Sequence, residues 1–176
     1  MDKQSIRKEI RLLKKGQTAE SKRSESEQIW SILEKNPLFQ NSHNILIYWS
    51  MNDEVETPDF IRKWQHQKQF LLPCVVGDEL EIKLFNGDAD MLSGDRFQIP
   101  EPKGEAITNY DIIELAIVPG VAFDKQHQRL GRGRGYYDKT LCKIKAPKIG
   151  VCFSFQYLDE IPTDGFDVPM DDVIHA

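Results

Sequence analysis

Residues 112–138 read IIELAIVPGVAFDKQHQRLGRGRGYYD, and their first seven positions decide the fold. Ile112 to Val118 is an almost continuous apolar run, interrupted only by Glu114. Such a run suits a central strand buried on both faces of a parallel sheet. Pro119 and Gly120 stop it. Beyond that turn Gly131, Gly133 and Gly135 alternate with Arg132 and Arg134, ahead of a helix predicted over Tyr136 to Lys143. Ligands in open α/β sheets bind outside the carboxyl ends of strands, where this loop would lie.

The same patterns continue outward. Ile45 to Trp49, Phe70 to Val76 and Lys148 to Phe155 are predicted strands, Glu81 to Phe85 a further one, and Val173-Ile174 a short last one. Pro73 restricts its strand to an edge or a bulge at that point. At the front, Ile6, Ile10 and Leu13 form an apolar helical stripe, and Lys3, Arg7 and Arg11 a cationic one at i, i+4, i+8. Gly16 ends that helix and Thr18 caps the next, which runs toward Pro37 and presents Ile29, Trp30, Ile32 and Leu33. Met51 to Glu56 is a loop, and Thr57-Pro58 reads as an N-cap and first position of a helix to Gln67. Asn86 to Thr108 is a long loop of the kind that often carries function. Strands alternating with helices predict a layered α/β fold with a mostly parallel sheet.

The 176 residues suit one domain, residues 1–176. A formal net charge of -5 opposes a dedicated nucleic-acid binder. Cys74, Cys142 and Cys152 are too few and scattered for a disulfide framework, and with no CxxC pair they read as buried, reduced thiols. The start, MDKQSIRKEIRLLKK, lacks a signal-peptide apolar stretch, and no run nears the roughly 20 apolar residues that span a bilayer. A cytoplasmic protein without membrane contact is expected.

The glycine–arginine segment carries the chemistry. Glycine lets backbone N–H groups approach a ligand with no Cβ in the way, and successive N–H groups make an anion nest. Arginine adds a forked donor matched to phosphate oxygens. Tyr136 and Tyr137 offer flat faces for a base or a fused ring, and Asp138 a carboxylate beside the phosphates, where Mg²⁺ is held. The segment is neither a P-loop nor a GxGxxG turn, so these residues predict phosphate binding and leave the reaction open. RGRG tracts also bind RNA when disordered. Here the tract sits inside a structured pattern and is followed at once by two tyrosines and a carboxylate.

The run PGVAFD…RLGRGRGYYDK resembles the signature of the 5-formyltetrahydrofolate cyclo-ligase family. Lys3-x-x-x-Arg7, MNDEVET at 51–57, FQIPEP at 97–102 and DVPMDDV near the end extend the resemblance across essentially the whole chain. It implies a three-layer α/β/α sandwich related to sugar-phosphate isomerases and CoA transferases. The implied activity converts 5-formyltetrahydrofolate, ATP and Mg²⁺ to 5,10-methenyltetrahydrofolate, ADP and phosphate. By the resemblance, ATP is held by Lys3, Arg7 and the run Arg129, Leu130, Gly131, Arg132, Gly133, Arg134, Gly135, Tyr136 and Tyr137. Arg132, Tyr137 and Glu56 are the implied catalytic residues, with Arg132 stabilising the transferring phosphoryl group. Asp138 and Asp167 would hold Mg²⁺, and Met51, Glu56, Phe97 and Tyr136 would orient the folate. A monomer is expected. The chain departs from the family's usual pattern at His127, where glycine is common, at Phe97, where tryptophan is common, and at Arg134, a variable position. Alternatives are sugar-phosphate isomerisation or acyl transfer to CoA, with Glu56 or Glu114 as the carboxylate, and a non-catalytic RNA-binding module.

Overall fold

The computed structural model describes residues 1–94 and 98–176. Helix α1 spans Lys3–Lys15, with the Asp2 carboxylate accepting from the Ser5 N–H at its start and Gly16 at its end. Ile6 and Ile10 are buried, whereas Leu13 is half exposed and leaves the predicted stripe. Helix α2 (Ala19–Glu34) is capped by Thr18, whose side chain accepts from Ser21 N–H. Ile29, Trp30 and Leu33 pack inward while Ile32 faces out. A short α3 (Pro37–Asn41) leads to β1 (Asn44–Leu46), then α4 (Pro58–Trp64), β2 (Gln69–Val76) and β3 (Glu79–Leu84). Next come β4 (Met91–Ser93), β5 (Pro100–Pro102), β6 (Leu115–Val118), β7 (Ala122–Asp124) and β8 (Arg129–Leu130). The chain ends with α5 (Tyr136–Leu141), β9 (Lys148–Cys152), β10 (Tyr157–Leu158) and β11 (Asp172–His175).

The main sheet has the order β11-β9-β6-β1-β2-β3. Every pairing in it is parallel except β2 with β3. Alternation along the strands divides the core between two faces. Ile45, Leu115, Ile117, Ile149 and Val151 pack with Ile29, Trp30 and Phe60 from α2 and α4. Leu46, Ala116 and Val118 pack on the other side with Leu141 of α5 and Phe123 of β7. This is the expected α/β/α layering around a mostly parallel sheet. A smaller sheet, β10-β7-β8, lies under α1, where Ile6 and Ile10 meet Val121, Ala122 and Leu130. The two sheets are joined through Phe123: a Cβ on Gly120 or on Gly150 would collide with its ring.

Pro73 obeys the edge rule within an internal strand. Strand β1 pairs with β2 only from Gln69 to Leu71, so at Pro73 the sole ladder partner is Ile82 of β3. Thr57 departs from its expected role. It is fully buried, and its hydroxyl accepts from the Ser50 N–H at 2.9 Å instead of capping α4. Cys74 and Cys152 are buried as expected, but Cys142 is exposed. Among the described residues no helix is long and apolar enough to cross a membrane. Phe97, named above for folate contact, lies outside the described residues.

Candidate active site

A cleft of about 1210 Å³ opens at the carboxyl ends of the central strands. Its floor is built from Tyr48 and Met51 beyond β1, Pro73 and Val75 in the second half of β2, and Pro119 to Val121 beyond β6. Residues 131–135 cross its mouth between β8 and α5. Gly133 and Gly135 have φ of +107° and +71°, a conformation side chains resist, so the alternating glycines let the loop fold back on itself. At six residues α5 carries little macrodipole, so any attraction of this wall for an anion would have to come from loop N–H groups and nearby side chains.

Helix α1 supplies that wall from the opposite side. Arg7 Nε donates to the Gly131 carbonyl at 2.9 Å and sits against Gly133. Lys3 Nζ donates to Asp164 and to Asp167, each at 2.6 Å. Partial burial works against the Lys3 charge, but these two carboxylates hold its pKa above the ordinary lysine value. Asp167 is lowered in turn, its own desolvation overcome by the bond from Lys3.

Arg129 of β8 and the loop's Arg132 and Arg134 stand in different surroundings. Arg129 is buried; Nη1 donates to the Pro119 carbonyl at 3.0 Å, Nη2 lies 3.8 Å from Asp138, and the guanidinium covers the Tyr137 ring at 5.2 Å. Burial pulls its pKa below the usual arginine value. Arg132 reaches across the mouth and donates to Asp53 at 2.8 Å and Glu54 at 3.1 Å. Arg134 is exposed. Tyr137 is held under Arg129, and burial raises its phenol so that it keeps its proton. Leu130 is buried in the small sheet, so its side chain packs while its backbone shapes the loop. Tyr136 is half-buried and lines the cleft.

The carboxylates divide similarly. Asp138 accepts from Val168 N–H at 3.1 Å, which brings it to the same wall as Asp167. Glu56 does not line the cleft; its carboxylate lies 3.6 Å from Lys22 of α2. Glu114 accepts from the N–H groups of His43 and Asn44 at the amino end of β1, away from the cleft. Among the described residues no group of three or more potential metal ligands forms.

Sequence reading missed Lys14, Asp53 and Glu54. Lys14 Nζ donates to Asp53 at 3.1 Å, so one carboxylate bridges a lysine of α1 and Arg132 of the loop. With only 9% of its side chain exposed, Lys14 is desolvated enough to lower its pKa. One signal was available. Seven residues is just under two helical turns, so Lys14 lies on the Arg7 face of α1, nearer to the Lys3–Arg7 line than Arg11 is.

A cationic, glycine-built mouth over an apolar floor, at the carboxyl ends of a parallel sheet, is the setting in which α/β enzymes hold their ligands. The sequence model of the 5-formyltetrahydrofolate cyclo-ligase family matches residues 1–176. The 5-formyltetrahydrofolate cyclo-ligase of Haemophilus influenzae is 30% identical over 98% of this chain and 96% of its own length. That of Mus musculus is 28% identical over 98% and 93%. Among solved structures, the Aquifex aeolicus 5,10-methenyltetrahydrofolate synthetase superposes with a TM-score of 0.89 at 32% identity, covering 99% of this chain and 90% of that one. This chain belongs to the 5-formyltetrahydrofolate cyclo-ligase family.

Proposed function

We infer that the protein closes 5-formyltetrahydrofolate to 5,10-methenyltetrahydrofolate at the expense of ATP, with Mg²⁺, releasing ADP and phosphate. The observation that carries this reading is a single continuous space lined by both kinds of surface. Its lining includes the cations Lys3, Arg7 and Arg132 and the apolar side chains of Met51, Pro73, Val75 and Leu80. A triphosphate needs the first surface and a fused ring the second, and transfer between them needs both ligands held in contact.

A formamide oxygen is a poor leaving group. Its attack on the γ-phosphorus breaks the bond to the β–γ bridging oxygen, and ADP departs with the electron pair. N10 then attacks the activated formyl carbon and loses its proton, the carbon–oxygen bond breaks, and phosphate leaves. In this scheme Lys3 and Arg7 bind phosphate oxygens, with the N–H groups of residues 131–135. Arg132 leaves its acidic partners to meet the transferring phosphoryl group. Protonated Tyr137 and its neighbour Tyr136 border the reacting centre, and Met51 orients the folate. Glu56 would have to leave Lys22 to join them, whereas Glu54 already faces the cleft.

Bound Mg²⁺ would neutralise charge developing on the transferring phosphoryl group. Asp138 and Asp167 would hold it. Two carboxylates on the phosphate wall suit an ion whose remaining ligands are phosphate oxygens and water. The reading carries with it a single functional domain over residues 1–176 and a cytoplasmic monomer, both expectations from the sequence.

The test is direct. Purified protein with Mg·ATP and 5-formyltetrahydrofolate is expected to generate the methenyl chromophore and ADP in equal amounts. Absence of chromophore at high enzyme concentration rejects the reading.

A further inference from the structure

Phe166 is 90% exposed, more than any other large apolar residue among those described. Single exposed apolar side chains are ordinary on protein surfaces. Three features set this one apart. It lines the active-site cleft. It stands in a turn closed by its own hydrogen bonds: Asp167 N–H to the Asp164 carbonyl at 3.1 Å, and Asp164 N–H to the Asp167 carboxylate at 2.7 Å. Both aspartates also accept from Lys3 Nζ, which fastens the turn to α1 at the cationic wall. Gly165, immediately before it, has open space where a side chain would be. The turn therefore displays an aromatic ring beside Lys3, with its apolar surface in water.

We propose that Phe166 is a specificity-determining residue, the platform on which the nucleotide base stacks. The proposal rests on the reading that the cationic wall takes the triphosphate of ATP. A base tied to that triphosphate through its ribose emerges next to the wall and needs a planar surface. Tyr137 is half-buried and Arg129 already covers its ring at 5.2 Å, so its face is taken by a guanidinium. The apolar floor of Met51, Pro73, Val75 and Leu80 is the surface that suits the fused ring of the other substrate. Phe166 stands at the Lys3 end, within the reach of a ligand anchored by its phosphates. Stacking tolerates different bases but favours those with a larger π-face, so it selects purine over pyrimidine nucleotides.

The experiment is calorimetric titration of the full chain, wild type, Phe166→Ala and Phe166→Trp, with Mg·ATP and separately with Mg·tripolyphosphate, which has no base. Steady-state KM for 5-formyltetrahydrofolate is measured on the same proteins. Phe166→Ala is expected to weaken ATP roughly tenfold, the scale of one lost base stack. Tripolyphosphate affinity and the folate KM are expected to stay as in wild type, and Phe166→Trp to bind ATP at least as tightly as wild type. Equal losses for ATP and tripolyphosphate would make Phe166 a support for the turn and overturn the proposal. A rise confined to the folate KM, or no change at all, would overturn it too. If wild type makes the methenyl product and the alanine variant behaves in one of those ways, the proposal alone falls. Failure of wild type to bind Mg·ATP removes the functional reading beneath it.

Discussion

Arg129, in β8, and Arg132, in the loop that β8 feeds, are three residues apart, yet the structure uses them in opposite ways. Arg129, at the base, is enclosed: its guanidinium braces the Pro119 carbonyl, the Tyr137 ring and Asp138. Arg132, at the crown, has 44% of its side chain exposed and pairs with two carboxylates of another loop. A base held by packing fixes where the loop stands. A crown held by exchangeable ion pairs can release its charge to a ligand. The contrast predicts that the base governs stability and the crown governs chemistry.

The largest effect belongs to the base. Arg129→Ala leaves Asp138 without its cation and empties a buried site, and breaking a buried pair from one side costs about 3–5 kcal/mol. Denaturant unfolding is expected to show a loss of this size, with the midpoint lowered and the slope unchanged. A midpoint equal to wild type would erase the distinction between base and crown.

The crown gives the next effect, in rate. Arg132→Ala removes one preorganised charge donor and is expected to slow turnover roughly 10²–10³-fold. Its stability should scarcely change, because the partners it abandons stay occupied. Asp53 keeps Lys14, and Glu54 still accepts from Met51 N–H at 2.8 Å. Methenyl formation under saturating substrates measures the first quantity and thermal unfolding the second. Near-normal turnover, or a large drop in stability, would show Arg132 to be a brace like Arg129.

This difference between neighbours marks where sequence reading ends. Strands β1, β2, β6 and β9 were legible because burial on both faces leaves apolar runs that need no partner to be recognised. The small sheet was not, because β7, β8 and β10 are two or three residues long and no periodicity can develop in so few. The loop itself was legible from its alternating glycines and arginines, a local pattern with a local cause. The separate roles of its arginines were not, since Arg129 and Arg132 look alike until Pro119, Tyr137, Asp53 and Glu54 are placed around them. Asp53 meets Arg132 across 79 residues, and no spacing rule encodes that encounter. Thr57 shows the same limit: the right residue type for a cap was drawn off by Ser50.

The smallest effect tests the approach to the base. His127, in the turn between β7 and β8, has φ of +62°, the left-handed region that favours glycine. The turn holds it there: Asp124 accepts from Gln126 and Gln128 N–H through its carboxylate, and from His127 N–H through its carbonyl. A side chain in that conformation costs about 1–2 kcal/mol, and glycine's greater freedom in the unfolded chain returns part of it. His127→Gly is therefore expected to stabilise the protein by about 1 kcal/mol, raising Tm by about 2–4 °C in a chain of this size. Turnover at a fixed temperature well below unfolding should stay as in wild type, because the turn adjoins the base of the loop and not its crown. A stabilised variant with altered turnover would mean that strain at the base is transmitted to Arg132, and the two halves of the loop would have to be treated as one device.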